Sequence, residues 1–234
     1  MKYVLSDFDG TLTNENMIGP EFLQVLSLLQ EKKIKIVIVT GRSLSWAHFL
    51  LTHYPIHAVI AEGGGVIVFE DLNLRVFSSD EDLTKLDDVS EELLNNFPEI
   101  SLSADSFGRL CDRAIELSLL EELNLLDEVK KFLKGKCHFS CSNVHLNFWL
   151  GDISKQRASL DFCQMNDVLP KDTIYFGDAP NDQGMFREFP ESVGVSNIST
   201  YLDQLKFRPK YILEGKDKEG AKGVLYFLRN SSKV

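Results

Sequence analysis

Short apolar runs alternate with amphipathic stretches along the first part of the chain, and this alternation constrains the fold more than any other feature. Residues 34–39 form an apolar, β-branched run that only Lys35 interrupts, which is typical of a strand buried on both faces. We predict further strands over residues 3–5 and 58–60, with helices over residues 21–31 and 43–51 between them. A βαβαβ order of this kind predicts a parallel sheet with right-handed crossovers.

The alternation is interrupted in the middle of the chain. Residues 66–77 are predicted to form a hairpin, and residues 80–150 mix strands with helices, including one helix over residues 119–133. Helices and strands alternate again after this insert. We therefore predict an α/β fold, with a Rossmann-like parallel sheet core formed by residues 1–79 and 151–234 and an inserted α+β domain of residues 80–150.

The charge balance narrows the range of partners. The chain of 234 residues has a formal net charge of −10, and such a surface repels nucleic-acid phosphates and anionic membranes, so we expect neither as a partner. No segment resembles a signal peptide, and no window approaches the roughly 18 apolar residues of a membrane span. The four cysteines lack a zinc-binding spacing and are expected to be reduced thiols. We expect a soluble, cytoplasmic protein, whose oligomeric state the sequence leaves open.

Carboxylates follow two of the predicted strands. Asp7 and Asp9 directly follow the first strand, and Asp178 and Asp182 follow a strand predicted over residues 173–176. Open α/β sheets place their functional sites at the carboxyl ends of the strands. Two acids at the end of a buried strand repel each other unless a cation lies between them. Read singly, each pair is also compatible with an acidic turn that has no function.

Two further segments carry groups that could hold a phosphoryl group. Thr40, followed by Gly41 and Arg42, ends the second predicted strand, so its hydroxyl would lie beside Asp7 if the two strands are neighbours. Lys155 begins the helix after the insert, and an ammonium beside carboxylates neutralises them and binds a transferring phosphate. Read singly, these segments are equally compatible with an ordinary helix start and a solvated lysine.

Taken together, these motifs resemble those of one family. The order DFDGTLT from Asp7, TGR from Thr40, the lysine Lys155 and GDAPND around Asp178 is similar to that of the haloacid dehalogenase-like hydrolases. The insert resembles the cap domain of the subgroup that contains sugar-phosphate phosphatases. The tail after Asp178 is similar to the sucrose-phosphate phosphatase-like branch, and residues 145–155 are similar to mannosyl-3-phosphoglycerate phosphatases.

The chain departs from the family pattern at two positions. Gln156 follows the lysine where the family often has glycine, which we expect to change the loop backbone and not the charge. The string Glu62-Gly-Gly-Gly65 stands where relatives often carry glutamate, asparagine and glycine. Without the asparagine, we interpret this string as a plain flexible turn.

The resemblance implies a phosphatase that works through an aspartyl-phosphate. Asp7 would be the nucleophile, and Asp9 would protonate the departing alkoxide and then activate the attacking water. The implied cofactor is Mg²⁺, which prefers hard oxygen ligands. Its ligands would be the carboxylates of Asp7 and Asp178 and the backbone carbonyl of Asp9, with Asp182 in the same metal site or directly behind it.

The expected substrate is a small-molecule phosphate monoester, with a sugar phosphate as the favoured class. Thr40 and Lys155 would act on the phosphoryl oxygens. The substrate-binding candidates are Gly41, Arg42, Arg113, Asn143, His145 and Asn147. The last three alternate along one predicted strand and share one face, which is also compatible with a solvent-facing polar strand. The alternative reaction is that of a phosphohexomutase, and a regulatory binding module is the non-enzymatic alternative.

Overall fold

The chain forms two β-sheets, which the computed structural model describes over residues 2–14, 17–142 and 144–233. The strands are β1 (Tyr3–Ser6), β2 (Lys35–Val39), β3 (Ala58–Ala61), β4 (Val66–Phe69), β5 (Leu74–Val76), β6 (Asp112–Glu116), β7 (His138–Cys141), β8 (His145–Trp149), β9 (Thr173–Gly177), β10 (Ser192–Gly194) and β11 (Tyr211–Ile212). Within the described residues, the large sheet has the order β11-β10-β9-β1-β2-β3-β4-β5 and the small sheet the order β6-β8-β7.

The large sheet is parallel except for a hairpin at one edge. β1 lies between β2 and β9 and runs parallel to both, with Ser6 opposite Ile38 on one side and Phe176 on the other. β3, β10 and β11 continue the parallel order, whereas β4 and β5 pair antiparallel. The predicted parallel core and its hairpin are confirmed. Because the strands are parallel, the carboxyl ends of β1, β2 and β9 meet at the same edge of the sheet.

Eight α-helices cover the sheets within the described residues. They are α1 (Pro20–Glu31), α2 (Leu44–His53), α3 (Asp80–Asn96), α4 (Leu117–Glu122), α5 (Leu126–Leu133), α6 (Lys155–Met165), α7 (Gln183–Glu188) and α8 (Gly220–Asn230). In the described part of the chain, none of them is both long and apolar enough to cross a membrane.

Two hydrophobic clusters enclose the large sheet, one on each face. On one face Val4 of β1 belongs to a cluster with Phe22 of α1 and Leu228 of α8. On the other face the next residue, Leu5, belongs to a cluster with Phe162 of α6. Successive residues of a strand point to opposite faces, so a strand between two helical layers must be apolar throughout. This is why the successive residues Val4 and Leu5 are both apolar and both fully buried.

The small sheet has a hydrophobic cluster of its own. β6, β8 and β7 are antiparallel, and helices α3, α4 and α5 pack on one of their faces, where Leu86, Leu120 and Leu133 of the helices belong to one cluster with Phe148 of β8. We call this unit, residues 80–149, the cap. Its other face is more polar and points toward the end of the large sheet that carries Asp7, where cap and core residues line a common cavity.

The predicted helix over residues 119–133 is wrong, because the chain forms two helices there. α4 ends beside Asn124, which has a φ of 56°. Such a left-handed conformation ends an α-helix, and asparagine adopts it more readily than most side chains. α5 begins at Leu126, and its apolar residues Val129 and Leu133 belong to the cap's hydrophobic cluster.

Candidate active site

Three buried carboxylates meet at the carboxyl end of the large sheet. Asp7 follows β1, and Asp178 and Asp182 follow β9, so the parallel pairing of these two strands brings them together. Each offers a carboxylate oxygen within 4.8 Å of the others, and all three residues are buried. The sequence-based prediction that these acids share one site agrees with this arrangement.

Lys155 is the cation of this cluster. It is the first residue of α6, whose N-cap Ser154 accepts a hydrogen bond from the Arg157 backbone N–H. The ammonium Nζ donates to Asp7 Oδ1 at 2.5 Å and to Asp182 Oδ1 at 2.8 Å. Burial opposes the charged form, but Asp182 and Asp7 outweigh it and raise the pKa of Lys155. The lysine is therefore charged and holds one oxygen of Asp7.

Asp182 orients the other members of the cluster. Its Oδ1 also accepts the hydroxyl of Tyr175 at 2.6 Å, and its Oδ2 accepts the backbone N–H groups of Asp178 at 3.0 Å and Ala179 at 3.2 Å. Gly177 is needed here, because a Cβ at this position would lie 2.6 Å from Asp182 Oδ2. With both oxygens engaged, Asp182 is suited to fixing Lys155 and the backbone that carries Asp178.

Asp178 is fixed from the opposite side. Its Oδ1 accepts the hydroxyl of Thr11 at 2.8 Å, and its Oδ2 accepts the side-chain amide of Asn197 at 2.7 Å. Burial, and secondly Asp182, raise the pKa of Asp178 to about 7. Burial also raises the pKa of Asp7, with Lys155 opposing it. Three carboxylates share one ammonium, so the cluster favours an additional cation.

Asp9 makes a separate ion pair with Arg42. The guanidinium donates from Nε to Asp9 Oδ2 at 2.8 Å and from Nη2 to Oδ1 at 2.7 Å. It also lies over the indole of Trp46, 5.0 Å from the ring centroid. Arg42 therefore lies at the site, as expected, but it is bound to the acid and not to an open substrate position.

The loop after β2 lies between this cluster and the cap. Thr40 is buried, and its hydroxyl accepts the backbone N–H of Arg42 at 3.1 Å. A Cβ on Gly41 would lie 3.9 Å from Asn147 Oδ1 of the cap. The loop is therefore in direct reach of the strand β8 that carries two of the predicted substrate-binding residues.

The structure brings some of the predicted cap residues to the site and not others. His145 and Asn147 lie on the face of β8 that points to the core, where His145 pairs with Glu116 at 3.2 Å. Arg113 points to the opposite face of the cap sheet and pairs with Asp87 of α3. We therefore remove Arg113 from the candidates: side chains alternate along β6, and its neighbour Asp112 occupies the core-facing position. Asn143 lies outside the described residues.

Two adjoining pockets lie between the cap and the core. A small one of about 20 Å³ is lined by Asp7, Asp9 and Arg42, among others. A larger one of about 140 Å³ is lined by Lys155 and by the cap residues Asp112, Ser140, Ser142, Asn147 and Trp149. Both pockets include Gly41, Ser142 and Asn181 in their walls.

Two polar atoms at this site are buried without a partner among the described residues. They are the indole Nε1 of Trp149 and the amide Oδ1 of Asn181, and both residues line the larger pocket. A buried donor and a buried acceptor without partners cost free energy, which a bound polar molecule can recover.

Sequence reasoning missed several residues of the site. Asp112 accepts Arg109 Nη1 at 2.8 Å and the Asn147 amide at 2.8 Å, and Asn197 holds Asp178. Glu62, assigned to a flexible turn, is buried and bonded to the cap. The strand alternation that predicted Asn147 would also have exposed Asp112, had β6 been placed two residues earlier in the chain.

Comparison with known proteins agrees with this geometry. The family model described as haloacid dehalogenase-like hydrolase matches residues 4–104 and 76–227. The chain is 24% identical over 230 residues to phosphoglycolate phosphatase 1 of Saccharolobus solfataricus, covering 95% of this chain and 93% of that protein.

Two solved structures share the fold over nearly their whole length. A Thermoplasma acidophilum protein superposes with a TM-score of 0.80 at 16% identity, covering 100% of this chain and 99% of the other. The sucrose-phosphatase of Synechocystis, solved with sucrose and phosphate, has a TM-score of 0.74 at 16% identity and coverages of 97% and 96%. The chain belongs to the haloacid dehalogenase-like hydrolases and is a phosphatase of that family.

Proposed function

We propose that this phosphatase hydrolyses the phosphate monoester of a neutral, hydroxyl-rich molecule such as a sugar, through an aspartyl-phosphate on Asp7. The observation that carries the proposal is the buried contact between Asp7 and Lys155 at the edge of the cavity under the cap. A carboxylate that is fixed, desolvated and adjacent to a cavity is suited to nucleophilic attack.

The attack would come from the free oxygen of Asp7. Lys155 occupies Oδ1, which leaves Oδ2 to form the bond to phosphorus while the bond to the ester oxygen breaks. Lys155 and the hydroxyl of Thr40 would then bind the equatorial oxygens, over which negative charge is spread in the transition state. Hydrolysis of the aspartyl-phosphate by water would release phosphate and restore Asp7.

Asp9 is the proposed proton carrier for both steps. It would give a proton to the departing alkoxide and take one from the attacking water. In the structure both of its oxygens accept from Arg42, so neither oxygen is free to contact the leaving group. The phosphate dianion of a bound substrate competes for the same guanidinium, so we expect substrate binding to draw Arg42 away from Asp9.

Mg²⁺ is the proposed cofactor, because the cluster has hard carboxylate donors and too little positive charge. Asp7 and Asp178 would hold it, and Asp182 would keep Asp178 and Lys155 in place. When bound, the ion supplies positive charge to the phosphoryl oxygens and lowers the pKa of the clustered carboxyls.

The larger pocket supports a neutral leaving group. Its walls offer hydroxyls, amides and an indole, whereas its cations are occupied. Lys155 is bonded to two carboxylates, and Arg109, behind the cavity wall, is bonded to Asp105 and Asp112. A volume of about 140 Å³ has room for about five water-sized groups at the roughly 30 Å³ that a water molecule occupies in the liquid. That space fits a hexose better than a two-carbon acid.

Phosphoglycolate is the competing substrate, because the name of the Saccharolobus relative specifies it. Its carboxylate would need a cation in the pocket, and Arg42, once drawn from Asp9, would already be engaged by the phosphate. The desolvation of an unpaired carboxylate beside Asp112 would be costly.

A phosphate-release panel tests the proposal. Hexose and disaccharide phosphates should exceed phosphoglycolate in kcat/KM by about tenfold or more, since a lost polar contact is worth about that factor. Higher kcat/KM for phosphoglycolate would overturn the assigned substrate class. An isomerised sugar phosphate without released phosphate would indicate a phosphohexomutase instead.

A further inference from the structure

Glu62 is a buried carboxylate that has no role in the chemistry described so far. It directly follows β3, is 1% exposed, and has a φ of 53°, which is unusual for a residue with a side chain. Its backbone N–H donates to the carbonyl of Arg42 at 2.9 Å, and the N–H of Gly63 donates to that of Thr40 at 3.0 Å. The residue is therefore fixed to the loop that borders the phosphoryl pocket.

The carboxylate of Glu62 accepts backbone N–H groups from the cap. Leu110 donates to Oε1 at 2.9 Å and to Oε2 at 3.0 Å, Cys111 donates to Oε2 at 2.5 Å, and Asp112 donates to Oε2 at 3.3 Å. One core group, the N–H of Leu44 at the start of α2, donates to Oε1 at 3.0 Å. Hydrogen bonds to an ionised acceptor are about twice as strong as neutral ones.

A second charged side chain also connects the two units, in this case from the cap to the core. Arg109 of the cap donates from Nη1 to the carbonyl of Gly41 in the core at 3.0 Å. The same nitrogen holds Asp112, which in turn accepts the amide of Asn147. The segment that Glu62 binds therefore contains Asp112 and is linked through it to Asn147, and both of these side chains lie at the larger pocket.

The segment after Glu62 lies against both connections between core and cap. The N–H of Phe77, just before α3, donates to the carbonyl of Gly65 at 2.9 Å. A Cβ on Gly64 would lie 2.2 Å from the carbonyl oxygen of Ser154, just before α6. On Gly65 it would lie 2.5 Å from Cys111 of the cap. The three glycines are not a free turn, because Gly64 lets the backbone pack against the place where the chain leaves the cap and Gly65 lets it pack against Cys111 within the cap.

We propose that Glu62 is a positioning residue that seats the cap on the core through the backbone amides of residues 110–112. It thereby sets the place of Asp112 and Asn147 over the leaving group. Asp7 and Lys155 come from core elements and keep their positions without it. This inference rests on the proposed function only where it concerns the leaving group.

The test compares Glu62→Gln with the matched control Glu70→Gln. Glu70 is a core glutamate with a 65% exposed side chain, and its side-chain contact is with His57, away from the site. The side chain introduced by Glu62→Gln is nearly isosteric with glutamate, but it carries no charge and presents an NH₂ group to N–H donors. Hydrogen–deuterium exchange is measured at the amides of residues 110–112, with the amides of β1 as an internal reference.

In Glu62→Gln, exchange at residues 110–112 should accelerate about 10- to 100-fold, the range expected for a lost charged hydrogen bond. The β1 amides and the control variant should be unchanged. For the best sugar phosphate, kcat/KM should fall by a similar factor, mainly through KM, whereas hydrolysis of a small aryl phosphate should change less than about threefold.

Unchanged exchange at residues 110–112 would overturn the proposal, and so would an equal loss of activity on both esters. If Glu62→Gln does not fold, Glu62→Asp, which keeps the charge, is measured in the same way. Its exchange rate at residues 110–112 should be faster than that of the wild type, but by less than tenfold. An exchange rate equal to that of the wild type would overturn the proposal. If exchange responds as expected but no sugar phosphate is hydrolysed by the wild type, the substrate assignment fails and the seating role of Glu62 stands.

Discussion

The phosphoryl-transfer centre and the cap face that covers it are built from different interactions. At the centre, Lys155 bonds directly to Asp7 and Asp182, and charge holds the residues in place. On the cap face, Asn147 and Trp149 offer neutral donors and acceptors, and the charges there are already paired. Under the proposed function, the chemical step would depend on a fixed charge cluster, whereas the choice of ester would depend on shape and neutral hydrogen bonds.

The largest effect is expected at the centre. Asp7→Asn removes the proposed nucleophile but keeps the size of the side chain, so kcat should fall by about 10⁴-fold or more on every phosphate ester, while the melting temperature stays within a few degrees. Asp87→Asn, an exposed acid of the cap that pairs with Arg113, is the control and should keep wild-type activity. An Asp7→Asn enzyme that is slowed on sugar phosphates alone would remove the distinction between the two regions.

The centre could be predicted from the sequence because its carboxylates directly follow predicted strands. A β-strand ending in Asp7 and a parallel neighbour ending near Asp178 can meet only at one edge of the sheet. That these two strands are neighbours did not follow from the residues alone, and it was the motif order shared with the haloacid dehalogenase-like hydrolases that grouped the carboxylates with Lys155.

The cap face could be predicted only in part. The alternation of side chains along β8 correctly grouped His145 with Asn147. The same reasoning on β6 needs the start of that strand to distinguish Asp112 from Arg113, and that boundary was misplaced. Glu62 could not be found in this way, because its partners are the backbone amides of a distant segment. Backbone amides carry no side-chain identity, so no residue pattern reveals such a contact.

Metal removal is the second prediction. Activity should fall by about 10³-fold in excess chelator and return with Mg²⁺, because the ion supplies the charge that the carboxylate cluster lacks. Added Mg²⁺ should also stabilise the fold, by about 2.7 kcal/mol at one hundred times its Kd. Asp178→Asn should abolish this increase in melting temperature, whereas Asp87→Asn should leave it intact. Full activity in chelator would show that the lysine alone neutralises the cluster.

The third prediction concerns the pH dependence of stability. It tests Asp112, a charged group of the cap, separately from the charged groups of the centre. Burial, opposed by Arg109 and reinforced by Glu62, raises the pKa of Asp112 from 3.8 to about 7. In the unfolded chain this carboxyl titrates near 4. The folded state therefore prefers the protonated form, so its stabilising contribution is complete below about pH 4 and is lost as pH rises through 7.

Asp112→Asn should remove this dependence. Between pH 4 and 8, the free energy of unfolding of the wild type should fall relative to that of the variant by at most about 4 kcal/mol. Denaturant unfolding at a series of pH values measures it. A difference that does not change with pH would mean that Arg109 keeps Asp112 ionised throughout.

The smallest effect is expected from neutral residues of the cap face. Asn147→Ala should lower kcat/KM for the best sugar phosphate by about 10- to 30-fold, the value of a buried hydrogen bond, and should leave a small aryl phosphate nearly unaffected. Arg113→Ala, one strand away on the opposite face, is the matched control and should not change the ranking of substrates. If Arg113→Ala alters the ranking and Asn147→Ala does not, the assigned faces of the cap sheet are wrong.

Trapping of the phosphorylated residue tests the central claim most directly. Asp9→Asn removes the proposed proton carrier for the second step, so it should accumulate the aspartyl-phosphate when given an aryl phosphate, which needs no proton on its leaving group. Acid quenching, borohydride reduction and peptide mass spectrometry then convert the modified aspartate to homoserine and locate it. The account predicts homoserine at position 7, and none when Asp7→Asn is combined with Asp9→Asn. Reduction at another residue, or turnover of the aryl ester with no modified aspartate at all, would contradict it.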